Sequence, residues 1–461
     1  MPSRRDPDNF GLVDMPSAIK LTALSNRRFR GLLLVWAGVP IGLFYLWGGL
    51  VQPLLLGTYQ GDFQESYLRA AGRIAARLDP YDLCQKLGCL EPTGPQYVMP
   101  PLLAWLLQPA VGADSHALGV AVIIVLNAAL AAFLCFALKA LKVDDWQLAV
   151  LLVLVALPFG VTGNIEEGQV NLLLLALSGI WLLAWVDSKW WGGIALGAEV
   201  ALKLIQAPVG ILVLAARRWS MLAAAAATGL ILWLVAAPQY LPEYLFQVLP
   251  AISAGTGLYE NQSPGGTITR LVEPDTFLGA VSGSPPAARV ITLVIALVAI
   301  AVTLWVLRPP AITSTARALE AAAIVAVTPI VASYSWGTHL VLLLLPMLVL
   351  IAWGVRRRDW TILGLIAAGY LLISPGHHWL QALLASGYSN LLVLRLMAEF
   401  GMVGVVAIWI ASLVAVRRER ILAPSRGLAS EHGQPARLPQ QLRQRQSDRH
   451  ELAGRDTNHE P

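Results

Sequence analysis

The sequence predicts an all-α protein, a polytopic transmembrane helical bundle of about twelve spans with further helices lying at the extracytoplasmic interface. Three observations carry the prediction. Charged residues make up only 13% of the 461 residues, about half the ~25% usual in soluble domains. Apolar residues reach 56%, and the mean hydropathy is +0.62, so the chain lacks the residues to build a water-facing surface. Long apolar runs recur from end to end, which excludes a soluble domain on a single anchor. The net charge of +5 and the pI near 9.2 point to topology determinants rather than to nucleic acid, because Arg and Lys fall in short clusters between the apolar runs.

Residues 1–25 are polar and read as a cytoplasmic N-terminus. The apolar run after Arg27, Arg28 and Arg30 is too long for a signal-peptide core and has no small-x-small cleavage site, so it reads as the first membrane helix, about 31–52. The later runs are 117–138, 147–163, 169–186, 190–203, 204–216, 219–237, 287–307, 317–333, 339–354, 360–375 and 391–416. Several are short for a hydrocarbon core that normally takes about 20 residues. The stretch 190–216 reads as one tilted helix or as a hairpin of two short ones. Basic clusters decide for the hairpin: Lys189 and Arg217/Arg218 then share a side with Arg27/Arg28/Arg30, Lys139/Lys142, Arg308/Arg317, Arg356/Arg357/Arg358 and Arg417/Arg418/Arg420. Both termini are then cytoplasmic, 26–416 forms the transmembrane domain, and 417–461, rich in Arg and Gln, reads as a disordered cytoplasmic tail.

Two long loops, 53–116 and 238–286, and the short connections 164–168, 334–338 and 376–390 fall outside. Within the first, Tyr67, Leu68, Ala71, Ile74, Ala75 and Leu78 recur at helical spacing, with Arg69, Arg73 and Arg77 in a row on another face, the pattern of a helix on the outer membrane surface. Those arginines run against the positive-inside count, offset by Asp62, Glu65, Asp79 and Asp82. Pro100–Pro101 before Leu102–Leu107 marks a second short interfacial helix. Cys84 and Cys89 are near enough in sequence for a small disulfide in an oxidising compartment, and the sequence leaves the pairing open. Cys135 lies inside an apolar run and reads as packing.

The outer side collects the polar chemistry: Asp62, Asn164, Glu166, Glu167 and Gln169, then Glu260, Asn261, Gln262 and Ser263, then Ser335, Trp336 and His339, and His377 and His378. Polar loops alone account for part of this set. Acids and histidines recurring at helix ends that face one space favour a site.

Gly61-Asp62-Phe63, then Asp79-Pro80-Tyr81-Asp82, then Pro100-Pro101 resemble the start of glycosyltransferase family 87, polyprenyl-phosphate-sugar-dependent transferases of the GT-C type. Gly168-Gln169-Val170-Asn171-Leu172 resembles its GQ-x-N segment, Glu260-Asn261-Gln262-Ser263 its NQS loop, and Ser335-Trp336-Gly337-Thr338-His339 its SW-x-HH turn. The resemblance covers most of 30–415. Thr338 stands where the family often has the first of two histidines, so only His339 carries over. Lys203 is followed by proline only at Pro208, where the family often has proline sooner; with Glu199 it forms an i, i+4 pair that reads as two buried charges neutralising each other.

The resemblance implies a donor sugar on a polyprenyl phosphate, mannose most often and arabinose as its rival, and a glycolipid or glycan acceptor. It implies a multi-pass plasma (cell) membrane protein with its active site on the extracytoplasmic side, in contact with membrane lipid, using no cofactor and no metal, and binding no nucleic acid. A leaving phosphate is stable without a general acid, so one carboxylate suffices as base on the acceptor hydroxyl; a glycosidase needs two. Asp62 fits the family's base, and otherwise reads as a helix-flanking aspartate. The departing phosphate calls for positive charge or hydrogen-bond donors, with His339 first, then Arg69, Arg73, Lys203 and Arg270. Glu166, Glu167, Gln169 and Asn171 are candidates for sugar hydroxyls or, equally, for capping the helix they precede, and Glu260, Asn261 and Gln262 are further candidates for the sugar. Trp336 is a candidate to stack on a sugar ring. A sugar or lipid-linked-sugar transporter or flippase is the rival reading, but no repeat is visible and only Glu199 and Lys203 fall deep within a span. A structural subunit without catalysis is the third.

Overall fold

A computed structural model describes residues 27–56, 60–82, 96–158, 160–273, 276–277 and 283–432. The expected pairing of Cys84 with Cys89, the first 25 residues and the tail beyond 432 lie outside the described residues. Helices account for most of what is described, in keeping with the all-α reading. The one isolated extended pairing is an antiparallel bridge between Asn261 and Trp336.

Among the described residues seven helices are long and apolar enough to cross a membrane: 31–55, 115–140, 286–306, 314–331, 337–357, 360–385 and 391–421. Trp219–Val235 and Pro238–Ser253, bent by 101°, make an eighth if taken as one span. Four more apolar helices are shorter, Trp146–Ala156, Asn171–Val186, Gly192–Leu202 and Leu204–Ala215. Twelve full spans is therefore more than length and composition alone support. The expected run 147–163 is interrupted: its helix ends at Ala156, and a short helix Val161–Glu166 restarts after Gly160 at φ +58°. The protein is a multi-pass membrane protein, and its lipid-facing surface is apolar. On the Pro286–Val306 helix, Val290, Leu293, Leu297 and Val298 are all exposed.

The main core gathers the helices 115–140, 171–186, 314–331 and 337–357 with the first half of the terminal helix, Phe400–His432. Lys203, in an extended conformation (φ −158°, ψ 123°), breaks the 190–216 stretch into an ascending and a descending helix. Both feet of this hairpin stand at Trp185. Lys189 N–H donates to Ala184 O at 2.8 Å, while the Arg218 guanidinium donates to Trp185 O at 2.8 Å and covers the Trp185 ring at 3.7 Å. The hairpin packs on Trp219–Val235 through Gly193 and Gly197, which lie against the carbonyls of Met221 and Ala225 where no side chain fits. Small residues at such spacing let helix backbones approach closely without lipid between them.

The basic clusters collect at one end of the bundle. Trp185 Nε1–H donates to Arg317 O at 3.0 Å, Arg317 reaches Ser188, and Arg356 donates to the carbonyls of Leu141 and Lys142 at 2.8 Å. Arg357 pairs with Glu419 at 2.5 Å, Arg418 with Asp359, and Arg420 with Glu320 at 3.2 Å. These pairs hold 417–420 against the bundle, and the helix runs on to His432, past the expected boundary at 416. A second, smaller core sits at the other end. There the helical segment Asp62–Ala75 buries Phe63, Tyr67, Ala70 and Ile74 against Tyr97, Met99, Leu103, Tyr244 and Ile252. The helical spacing read in 63–78 thus produces a helix with one buried face, and Pro101–Leu106 forms the second short helix.

Candidate active site

At the end opposite the basic clusters, a cavity of about 470 Å³ opens between the two cores. The Asn171–Val186 helix measures the separation: its first residue stands by the cavity and Trp185 stands among the arginines, about 21 Å away at 1.5 Å per residue.

Polar side chains reach the cavity from four sides. The first is the start of the Asp62–Leu68 helix, with Asp62, Ser66 and Tyr67. The second is the turn before Asn171, with Glu166, Glu167 and Gln169; the third is the hairpin tip, with Lys203. The fourth side pairs the loop carrying Glu260 and Gln262 with the turn carrying Tyr334, Trp336 and His339. Apolar residues complete the cavity from the late helices, among them Leu340, Ile373, Leu380 and Met397.

The first two segments are pressed together by Gly168. It adopts φ +67°, and a Cβ there would lie 2.6 Å from the Phe63 Cβ. The Phe63 N–H donates to Glu167 O at 3.2 Å across the same contact. Beyond it the Gln169 amide donates to an Asp62 carboxylate oxygen, and the Tyr67 hydroxyl donates to Gln169 Oε1 at 2.8 Å. Asn171 sits one layer deeper: its amide donates to Thr338 O at 3.2 Å, and its oxygen accepts from Lys203 Nζ at 3.0 Å. The 260 loop and the 335 turn are joined by Asn261. Its oxygen accepts from Ser335 N–H at 2.9 Å, its amide donates to Thr256 O at 2.8 Å, and Gln262 N–H donates to Ser335 O at 2.7 Å. The Trp336 backbone N–H donates to His339 Nδ1 at 3.3 Å. That ring nitrogen is thus an acceptor, and the proton of the neutral ring belongs on Nε2.

Four carboxylates line the space, Asp62, Glu166, Glu167 and Glu260. Burial pushes the Asp62 carboxyl up to about 6, with Glu260 adding to the rise and Lys203 opposing it. Glu167 is pushed up to about 7, by burial first and then by Asp62, Glu260 and Glu166. Glu260 is raised by burial, and Tyr259 OH donates to it at 3.0 Å. A carboxyl near neutrality is poised to accept a proton, and clefts that combine burial with neighbouring charge are where functional acids and bases concentrate. Among the described residues no group of His, Cys, Asp and Glu has the geometry to hold a metal.

Of the residues singled out in the sequence, Asp62, Glu167, Gln169, Lys203, Glu260, Gln262, Trp336 and His339 all line this cavity. Asn171 and Asn261 lie behind it, fully buried, with their amides committed to protein partners. Arg69 is exposed and away from the cavity. Arg73 pairs with Asp82 at 3.3 Å, and Arg270 is buried against Glu399 at 2.7 Å. Lys203 is therefore the one lysine or arginine among the described lining residues. The expected Glu199–Lys203 pair does not form: Glu199 accepts from Ser178 Oγ at 2.6 Å and Trp181 Nε1 at 2.9 Å, while Lys203 turns to Asn171. An i, i+4 spacing brings side chains together only while the helix continues, and this one ends at Leu202. His377 and His378 lie in Trp360–Ala385, but their side chains fall outside the described residues. Sequence reading missed the hydroxyl of Tyr67, counted there only as an apolar position, and also Gln96 and Tyr334. No motif marks the last two.

Fold and site together define a multi-pass membrane protein with a polar cavity at one end of a helical bundle. The sequence profile of glycosyltransferase family 87 matches residues 97–333, just over half of the chain, and the chain belongs to that family. It is a membrane glycosyltransferase. Comparison with curated proteins finds no match.

Proposed function

We propose that this cavity transfers a sugar, mannose before arabinose, from a polyprenyl phosphate to the hydroxyl of a glycolipid or glycan on the outer face of the plasma membrane, with inversion. The reading rests on one observation: a carboxylate (Asp62), a cation (Lys203), a histidine (His339) and an apolar flank line one cavity. Asp62 accepts the acceptor's proton as its oxygen attacks the anomeric carbon. The C1–O bond to phosphate breaks on the opposite side, and its electron pair leaves with the phosphate. His339, donating through Nε2–H, and Lys203 stabilise that charge. No acid is required, because the leaving group departs as an anion.

Glu167, Gln169, Glu260 and Gln262 surround the sugar with acceptors and donors for its hydroxyls, and Trp336 offers a face for stacking. Leu340, Ile373, Leu380 and Met397 suit the first isoprene units of the lipid. The basic clusters at the far end of the bundle support a cytoplasmic assignment for that end and an extracytoplasmic one for the cavity. On this reading 26–416 is the catalytic domain. The test is transfer from radiolabelled polyprenyl-phosphate mannose in membranes containing the full chain. Asp62→Asn should lose at least a hundredfold, and full transfer by that variant would remove Asp62 from the mechanism.

A further inference from the structure

We infer that Tyr67 and Asn171 lock the Gln169 side chain in one orientation, its NH₂ toward Asp62, so that one carboxylate oxygen is capped and the other is left for the acceptor hydroxyl. The inference rests on the reading of Asp62 as the base.

A glutamine amide fits its site either way round in shape, but the two orientations have opposite polarity. Here the polarity is set by groups that can act in only one sense. The Lys203 ammonium only donates, and it reaches Asn171 Oδ1 at 3.0 Å. That turns the Asn171 NH₂ toward the Thr338 carbonyl at 3.2 Å and Asn164 Oδ1 at 3.0 Å. Asn164 is fixed in the same way, its own NH₂ donating to the carbonyls of Gly160 at 2.7 Å and Thr338 at 3.0 Å. The Asn171 NH₂ also stands 3.5 Å from Gln169 Oε1. The phenol oxygen of Tyr67 takes a hydrogen bond from the Val170 backbone, which leaves its own O–H to donate to Gln169 Oε1 at 2.8 Å. The Gln169 oxygen is therefore held by the Tyr67 hydroxyl and faced by the Asn171 NH₂, and its nitrogen faces Asp62. Reversing the amide would set a carbonyl oxygen against the carboxylate and NH₂ against NH₂ at Asn171.

Among the described residues Gln169 is the one side chain that donates to Asp62. The other groups facing the cavity from the packed elements are Glu166 and Glu167, Glu260, Lys203, Tyr334 and His339. Three of these six are carboxyls and only Lys203 is a cation, so losing the Gln169 donor leaves the Asp62 anion poorly compensated. Tyr67 is on this view a positioning residue, acting through Gln169 without touching substrate.

The pH–rate profile of sugar transfer tests this, measured with radiolabelled polyprenyl-phosphate mannose in membranes containing the full chain. Tyr67→Phe removes one hydroxyl and keeps the ring in its core. Its kcat should fall about tenfold with KM for the donor unchanged, the scale of losing the hydrogen bond that the released Gln169 amide makes to the Asp62 anion. The acidic limb of the profile should move up by about one pH unit, because the anion has lost its donor. Tyr97→Phe is the control: that ring meets Tyr67 edge-on at 6.4 Å, and its hydroxyl donates to Pro100 O at 2.5 Å, away from Gln169. It should leave the limb in place. Gln169→Glu keeps the shape, sets a second carboxyl against Asp62, and should raise the limb further, which serves if Tyr67→Phe folds poorly. An acidic limb unmoved in a folded Tyr67→Phe, or moved as far by Tyr97→Phe, overturns the lock; if Tyr67→Phe does not fold, an unmoved limb in Gln169→Glu overturns it. Full transfer by Asp62→Asn overturns instead the assignment of the base on which the lock depends.

Discussion

Gly168 and Phe63 are in backbone-to-side-chain contact so close that a single methyl on residue 168 would lie 2.6 Å from the Phe63 Cβ. The same residue holds φ +67°, where side chains other than glycine are strained. Both facts serve one end, seating the Glu166–Gln169 turn on the start of the helix that carries Asp62. Gly168→Ala is expected to open this contact and separate Gln169 from Asp62. The strain is of the order of 1–3 kcal/mol, small against the packing of the main core, so the protein should still fold. Transfer should drop by at least tenfold while elution on size exclusion in detergent stays that of the wild type.

Stability should fall as pH rises across the neutral range. Asp62 and Glu167 are held at about 6 and about 7, above their ordinary values of 3.8 and 4.5. The folded chain thus binds protons more tightly than the unfolded one. That contribution is whole below about pH 4 and is lost as pH passes through 6 and 7. Activity runs the other way, since the base must be ionised. Thermal unfolding in detergent should show a lower midpoint at pH 8 than at pH 5.5. Glu167→Gln and Asp62→Asn should each reduce that difference and raise the midpoint at pH 8 by a few degrees, the exchange of stability for function common at active sites.

Most of this architecture was readable from hydropathy and charge. Apolar runs of bilayer length survive as helices because every backbone polar group in lipid must be satisfied within the segment. The hairpin at 190–216 followed from the side on which Lys189 and Arg217 had to lie. Partner choice was not readable. Nothing local says that Glu199 turns to Trp181 and Ser178 while Lys203, four residues on, turns to Asn171. That depends on where the helix stops and on which neighbour is packed against it. Tyr67 shows the same limit: a tyrosine on an apolar stripe contributes its ring to the core and its hydroxyl to the site, and periodicity registers only the ring. Asn261, read as a sugar ligand, proved to be a brace between two loops, its amide consumed by backbone partners.

The loop that carries Glu260 depends on a charge pair some distance along the chain. Arg270 meets Glu399 at 2.7 and 3.0 Å and turns its remaining nitrogen to the carbonyls of Leu258 and Asn261 at 2.9 and 3.0 Å. The arginine is buried and the glutamate partly exposed. Removing the acid would strand a buried guanidinium, which is more damaging than replacing both partners by apolar groups. Glu399→Ala should lower the unfolding midpoint by several degrees and reduce transfer. Glu399→Gln keeps a hydrogen-bond acceptor for Arg270 and should recover much of the loss. Equal midpoints for the wild type and Glu399→Ala would show that the clasp contributes nothing.

Sidedness is accessible by labelling. The hairpin feet, Arg356 with Leu141 and Lys142, and the Arg420–Glu320 pair all lie at the basic end, while Glu260 lines the cavity at the other. Single cysteines at 260 and 142, in a chain with its three native cysteines replaced, report on the two ends. A membrane-impermeant maleimide added to intact cells should label position 260 and spare position 142 until the membrane is opened. The cavity would then face away from the cytoplasm, where a lipid-linked sugar and an envelope acceptor can meet. Labelling of 142 with protection of 260 would invert the molecule. It would also require an explanation of how clusters at Lys142, Arg218, Arg317 and Arg356 could cross a bilayer against the bias that retains basic loops in the cytoplasm.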